Sequence, residues 1–146
     1  MLKSNIPKVK DVIIVIELLS LEFEGLPPTV NTMYRNSGSR RYKRQAVEDW
    51  QEDIAGMLSE KWNTPINNYL SGVLCKKPYS KRVCVSIEFT TKDKRNWDID
   101  NRIKSLLDCL EIAGVLLNDN QIDGLNVRRH RGQENKTKIT LMEFKQ

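Results

Sequence analysis

Asp98-Ile99-Asp100 opens an amphipathic stretch, Lys104 follows one helical turn later, and Asp119 returns within the polar turn Asn118-Asp119-Asn120-Gln121. Carboxylate oxygens with few nitrogen donors beside them suit a hard divalent cation such as Mg²⁺ or Mn²⁺. A lysine at such a centre can stabilise charge developing on phosphoryl oxygens or orient an attacking water. Residue types and spacing therefore point to metal-assisted cleavage of a phosphodiester backbone. An EF-hand loop is excluded, because Ile103 stands where that loop needs glycine and Cys109 where it needs a bidentate acid. Each piece also has an ordinary structural role. Asp98 can be an N-cap, Asp100 a first-turn acid, Lys104 with Asp108 a surface ion pair, and 118–120 a simple turn.

The charge distribution favours the chemical reading. The chain of 146 residues carries 24 Lys and Arg against 19 Asp and Glu, a formal charge of +5. Arg35, Arg40, Arg41, Lys43 and Arg44 form one acid-free cluster, and Lys76, Lys77, Lys81 and Arg82 a second. Lys92, Lys94 and Arg95 lead into the aspartates, and Arg128, Arg129 and Arg131 follow the last one. Acids that hold a metal, bracketed by bases that hold a polyanion, are what phosphate cleavage requires. A module that only bound nucleic acid would gain nothing from acids concentrated beside phosphate. The sole histidine, His130, is not needed by the motif and is not assigned as a general base.

The elements that must position these groups follow from patterning. With 39% hydrophobic and 29% charged residues, the chain is expected to fold as one globular domain over 11–146, behind a loosely held basic arm at 1–10. Val12 to Phe23 reads as a strand stopped by Gly25-Leu26-Pro27-Pro28. Thr29 to Arg44 reads as a polar loop with Ser37-Gly38-Ser39 at its tip. Gln45 to Trp62 has a helical period, 63–80 reads as a long connection, and Val83, Val85, Ile87 and Phe89 alternate as a half-buried strand.

Ile99, Ile103, Leu106, Leu107, Leu110 and Ala113 form the apolar stripe of a helix closed by Gly114. Val115 to Leu117 is a short apolar return, and Leu125 to Arg131 and Thr137 to Phe144 read as final strands. The order predicts an α+β fold, with a mixed sheet of about four strands and two main helices packed on it. A helix over 100–113 is about 20 Å long, and 114–119 spans at most about 20 Å. Asp119 therefore reaches the first acids only if the chain doubles straight back along the helix.

Three cysteines without C-x-x-C spacing support neither a disulfide framework nor a zinc site. The chain opens without a secretory pattern, and its apolar run 12–21 is short and contains Glu17, so a cytoplasmic protein with no membrane span is expected.

Asp98-Ile-Asp100-Asn101 with Lys104 and Asp108, then Ala113-Gly-Val-Leu-Leu-Asn-Asp-Asn-Gln121, resembles the signature of the RusA family of Holliday junction resolvases. Pro27-Pro28-Thr29-Val30-Asn31 with Tyr34-Arg35 is similar to that family's N-terminal Pro-Pro-Ser-x-Asn loop. The resemblance runs in order from about residue 20 to the C-terminus. It implies a bacterial or phage-encoded homodimer that resolves four-way DNA junctions in recombination and repair, leaving 5′-phosphate and 3′-hydroxyl ends. It assigns Mg²⁺, with Mn²⁺ as an alternative, to Asp98, Asp100 and Asp119, and a catalytic role to Lys104.

Asn31, Arg35, Arg40, Arg41, Lys43, Arg44, Lys94 and Arg95 are the expected DNA contacts. Two departures stand out: Asn118 occupies a position where many members carry an acid, and Trp97 one where many carry a base. Trp97 reads as a buried anchor, with base stacking as the alternative. The competing functions are a nuclease for other branched DNA and a non-catalytic nucleic-acid-binding module.

Overall fold

A computed structural model describes residues 13–64 and 77–145. The expected arm at 1–10 and the central part of the 63–80 connection lie outside the described residues. Four strands, β1 (Ile14–Glu24), β4 (Val83–Thr91), β5 (Ile122–Arg131) and β6 (Lys136–Lys145), form one sheet in the order β1-β6-β4-β5. β6 is antiparallel to both β1 and β4, while β4 and β5 run parallel. The sheet is mixed and the fold is α+β, as the sequence pattern predicts.

Period-two patterning decides which face is covered. Val83, Val85, Ile87 and Phe89 of β4 are buried with Leu19, Leu21 and Phe23 of β1 and Ile139 and Leu141 of β6. They share one core with Ile54, Leu58 and Trp62 of α2 (Gln45–Asn63) and Leu106, Cys109 and Leu110 of α3 (Ile103–Ile112). Burial of Cys109 pushes its thiol up to about 12, so it acts as a small core residue rather than a nucleophile. The opposite face carries Ser86, Glu88, Thr90, Lys138 and Thr140, none of them fully buried.

Parallel pairing of β4 with β5 has a consequence for the acidic motif. Parallel neighbours cannot be joined by a hairpin and need a crossover. Residues 92–121 make that crossover, so α3 and everything around it leave the sheet at the end of β4 and return at the start of β5. One region departs from the polar loop expected for 29–44. It contains a short helix α1 (Val30–Met33) and a hairpin of β2 (Tyr34–Ser37) and β3 (Arg40–Lys43). Gly38, at φ +61°, makes the hairpin turn, and a left-handed residue at that point is a turn signal within the Ser-Gly-Ser stretch.

Candidate active site

Asp98 caps a 3₁₀ turn, Ile99–Arg102, that leads into α3. Its carbonyl accepts the Asn101 N–H at 3.2 Å, while its carboxylate makes no capping bond. Asp100 lies within the turn, and both side chains are exposed and without a hydrogen bond or ion pair among the described residues. The sequence places Asp100, Lys104 and Asp108 on one face of a continuous α-helix; only Lys104 and Asp108 belong to α3. A 3₁₀ turn advances about 20° more per residue than an α-helix, so Asp100 is rotated well off that line.

The chain reversal needed to bring Asp119 home is present. Gly114 adopts φ +71°, its N–H bonds to the Glu111 carbonyl at 3.0 Å, and Val115 N–H reaches the Leu110 carbonyl at 3.0 Å. These are the bonds of a helix ended by a left-handed residue. The short apolar return 115–117 makes a single parallel bridge, between Leu116 and Tyr79. Asn118 then caps a second 3₁₀ turn, Asp119–Gln121, accepting the Asn120 N–H at 2.9 Å. At the end of this path the Asp119 carboxylate stands 3.8 Å from Lys104 Nζ, which also bonds Asp108 at 2.8 Å. The Asp108 bond chiefly, with both carboxylates, raises Lys104 above the ordinary lysine range, so it stays an ammonium.

Several positioning residues have no chemical signature in the sequence. Gln121 is 6% exposed and uses its whole amide. Its oxygen accepts the N–H groups of Leu117 (2.8 Å) and Asn118 (3.0 Å), and its nitrogen donates to the carbonyls of Tyr79 (2.7 Å) and Lys81 (2.9 Å). The Asn-x-x-Gln spacing of 118–121 is the capping-box signature that could have identified it. The Glu111 carboxylate accepts the Asp119 N–H at 2.5 Å. Arg102 donates to the Pro27 carbonyl at 2.5 Å, and Ser105 Oγ to that of Pro28 at 2.9 Å, fastening the Pro-Pro loop to the start of α3.

Trp97 is anchored. It meets Phe89 edge-on with ring centroids 5.6 Å apart, and the guanidinium carbons of Arg102 and Arg129 lie 4.8 and 4.9 Å from its ring centroid. Arg129 also bonds the Trp97 carbonyl at 2.5 Å. These contacts support the anchor over the base-stacking alternative.

The expected DNA contacts divide by how they are engaged. Asn31 on α1, Arg35 on β2, Arg40 on β3 and Arg44 at the start of α2 are exposed. Arg41 lies over the Tyr34 ring at 4.1 Å. Lys43 is half-buried, donating at 2.7 Å to Gln51, whose amide nitrogen bonds the Ser105 carbonyl at 3.0 Å; it braces the hairpin against α3. Lys94 is exposed, and Arg95 is exposed but paired with Asp93 at 2.7 Å. Asp123 is committed to Arg82, whose guanidinium holds its carboxyl below the usual carboxylate range. His130 lies 3.6 Å from Glu88.

Among the described residues no three His, Cys, Asp or Glu side chains gather into a cage for a metal ion. That arrangement does not disfavour Mg²⁺, which is commonly held by one or two carboxylates while waters and substrate phosphate fill its other positions. The donor chemistry fits: among the described residues Asp98 and Asp100 offer uncommitted carboxylate oxygens, and the Asp119 carboxylate is engaged only by Lys104, at the edge of ion-pair distance.

The family model for the endodeoxyribonuclease RusA matches residues 24–142. The chain is 31% identical over 107 residues to the crossover junction endodeoxyribonuclease RusA of Aquifex aeolicus (strain VF5), covering 73% of this chain and 75% of that one. It is 28% identical over 104 residues to the crossover junction endodeoxyribonuclease of Enterobacteria phage HK97, covering 70% of this chain and 76% of that one. With the Asp98–Asp100 turn, Lys104 and the returning Asp119 all inside the matched span, this chain belongs to the RusA endodeoxyribonuclease family.

Proposed function

We propose that this protein is an Mg²⁺-dependent endonuclease that resolves four-way DNA junctions as a homodimer. The observation that carries the proposal is the 3.8 Å approach of Asp119 to Lys104. A surface lysine and a turn aspartate fifteen positions apart have no structural need to meet, and the capped reversal between them serves that meeting. Asp98, Asp100 and Asp119 would hold the divalent cation, which supplies Lewis acidity at the scissile phosphate and lowers the pKa of bound water.

Lys104 keeps its charge and is held by Asp108 in a fixed orientation, ready to stabilise the phosphoryl oxygens as negative charge builds. Arg35, Arg40, Arg41 and Arg44 on the hairpin and its exit offer further phosphate contacts. Cutting two opposed strands of a junction calls for two equivalent sites, and a twofold dimer provides them with the symmetry of the substrate.

The test is a synthetic four-way junction incubated with and without Mg²⁺, beside flap and linear duplexes of matched sequence. Paired incision of the junction that requires Mg²⁺ is expected. Asp98→Asn, Asp100→Asn and Asp119→Asn should each abolish incision while junction affinity holds or rises, because removing a carboxylate near phosphate relieves repulsion. Lys104→Ala should lower single-turnover incision at saturating enzyme far more than it lowers affinity. Preferential incision of the flap would redirect the proposal to other branched DNA. Binding without incision under any divalent cation would leave only a nucleic-acid-binding module.

A further inference from the structure

The C-terminal ends of the parallel strands β4 and β5 enclose an open cavity of ≈ 480 Å³, lined by Thr91, Lys92, Asp93, Lys94, Arg131 and Gly132. Thr91 and Arg131 are register partners and the last residues of the two strands. The 3.0 Å bond from Gly132 N–H to the Thr91 carbonyl closes the floor. A side chain at Gly132 would not fit, because a Cβ there would lie 2.6 Å from Thr90 Cγ2.

The rim is held by its own bonds. Arg131 donates to the Asp93 carbonyl at 2.7 Å, and Lys92 N–H to Asn135 Oδ1 at 3.0 Å. The one acid in the lining is already committed, since Arg95 satisfies Asp93 through its backbone N–H at 2.9 Å and its guanidinium at 2.7 Å. Lys92 and Lys94 remain exposed, with no side-chain bond or ion pair among the described residues.

Two arginines of one strand connect this cavity to the acidic centre. Arg131 holds the Asp93 carbonyl and Arg129 the Trp97 carbonyl. Residues 129 and 131 share one face of β5, about 7 Å apart. The segment carrying Lys94 is therefore fastened to β5 at two points and delivers Asp98 directly after Trp97. Lys94 to Asp98 spans at most about 14 Å, which corresponds to no more than about four nucleotides at about 3.4 Å of rise each.

We propose that this cavity is a phosphate-binding subsite that grips the DNA strand a few nucleotides from the cut, with Lys92, Lys94 and Arg131 as its cations. This rests on the nuclease reading above and assigns to it a site distinct from both the aspartates and the hairpin. Lys92 and Lys94 supply point charges on flexible stems, while Arg131, fixed by Asp93, supplies a directed donor. The subsite positions the strand and does not read its sequence.

The experiment measures junction affinity across a salt series in Ca²⁺, or in Mg²⁺ with Asp119→Asn, for the parent protein, Lys92→Ala/Lys94→Ala and a remote control, Lys61→Ala on α2. For every phosphate that the variant no longer neutralises, the slope of log K against log salt should fall by about 0.9. At 0.1 M salt that is about eightfold in affinity per phosphate relative to the 1 M reference, and about sixtyfold for two. Lys61→Ala should leave both quantities unchanged.

A second arm places single neutral methylphosphonates at each of the four nucleotides on either side of the cut. One of them should weaken the parent several-fold and leave the double variant unaffected. If the parent binds and incises junctions while the double variant keeps its slope, its affinity and its methylphosphonate response, the subsite is refuted and the nuclease reading stands. If the parent binds no DNA, both fall together.

Discussion

Replacing Gln121 by Leu removes the one side chain that, among the described residues, ties the Asp119 turn to the segment leading into β4. Leucine fills similar space but offers no hydrogen bonds, so four backbone groups lose a partner: the N–H groups of Leu117 and Asn118 and the carbonyls of Tyr79 and Lys81. A buried polar group left unsatisfied costs about 1–3 kcal/mol. Leu117, Asn118 and Lys81 are exposed residues, and water can reach part of what is orphaned. A total near 3 kcal/mol follows rather than the full sum, or a Tm lower by roughly 6–12 °C at 2–4 °C per kcal/mol.

Urea or thermal unfolding followed by circular dichroism measures that loss, and junction incision by the folded variant measures the function. Incision should fall well beyond the unfolded fraction, because Asp119 no longer has a fixed place beside Lys104. Gln121→Glu retains the acceptor for Leu117 and Asn118 but sets a buried carboxylate oxygen against the Tyr79 and Lys81 carbonyls, so it should lose at least as much stability. If Gln121→Leu unfolds within about 0.5 kcal/mol of the parent, the range expected of an ordinary surface change, the reasoning about this turn is wrong.

Three further outcomes follow from neighbouring contacts. Gly114→Ala forces a side chain into φ +71° and should cost roughly 1 kcal/mol in unfolding free energy, with a matching drop in incision as the reversal toward Asp119 is strained. Arg82→Ala should flatten the acid limb of the stability curve. Asp123 has a folded pKa below its unfolded value of about 3.9, so its contribution is present above that pH and lost as pH falls through the lowered folded value. Arg102→Met should change stability by less than about 1 kcal/mol, since relief of a desolvated cation offsets the bond to Pro27, yet it should lower incision by freeing the Pro-Pro loop from α3.

Local periodicity is what makes part of this fold legible in the sequence. The strict alternation from Val83 to Phe89 identifies β4 because it is buried on one face only, and the 3.6-residue stripe through Leu106 and Leu110 identifies α3. The hairpin at 34–43 leaves no such trace, because its strands are four residues each and exposed, so no apolar face distinguishes them from a loop. The 3₁₀ turn at 99–102 reads as helix because its apolar residue Ile99 fits the helical stripe, and the hydrogen-bond pattern that tightens it leaves no mark in composition. For the site, charge type and spacing indicate which groups could do chemistry, and the reach argument requires the reversal at Gly114. The carbonyls fastened by Arg102, Ser105 and Arg129 cannot be foreseen, since a side chain that bonds distant backbone gives no motif, whereas Gln121 leaves the capping-box spacing of 118–121.

The least satisfied atoms among the described residues lie beside the acids. Trp97 Nε1 and Arg102 Nε are buried with no hydrogen-bond partner, and burial holds the Arg102 guanidinium below its ordinary pKa. Two such atoms cost several kcal/mol, a large share of the 5–15 kcal/mol typical of a whole domain. Hydrophobic packing alone would favour an apolar residue at 102, as replacement of buried charges elsewhere has shown. What Arg102 provides is geometry: one end bonds the Pro27 carbonyl, its guanidinium lies over Trp97, and it is the last residue of the turn containing Asp100. Arg129 completes the clasp from β5 by holding the Trp97 carbonyl. A methionine could fill that space but could not bond the loop on one side while stacking on the ring on the other. Arg102 thus contributes position rather than net stability, where the Pro-Pro loop, the sheet and the aspartate turn meet and Asp98 and Asp100 are placed at the mouth of α3.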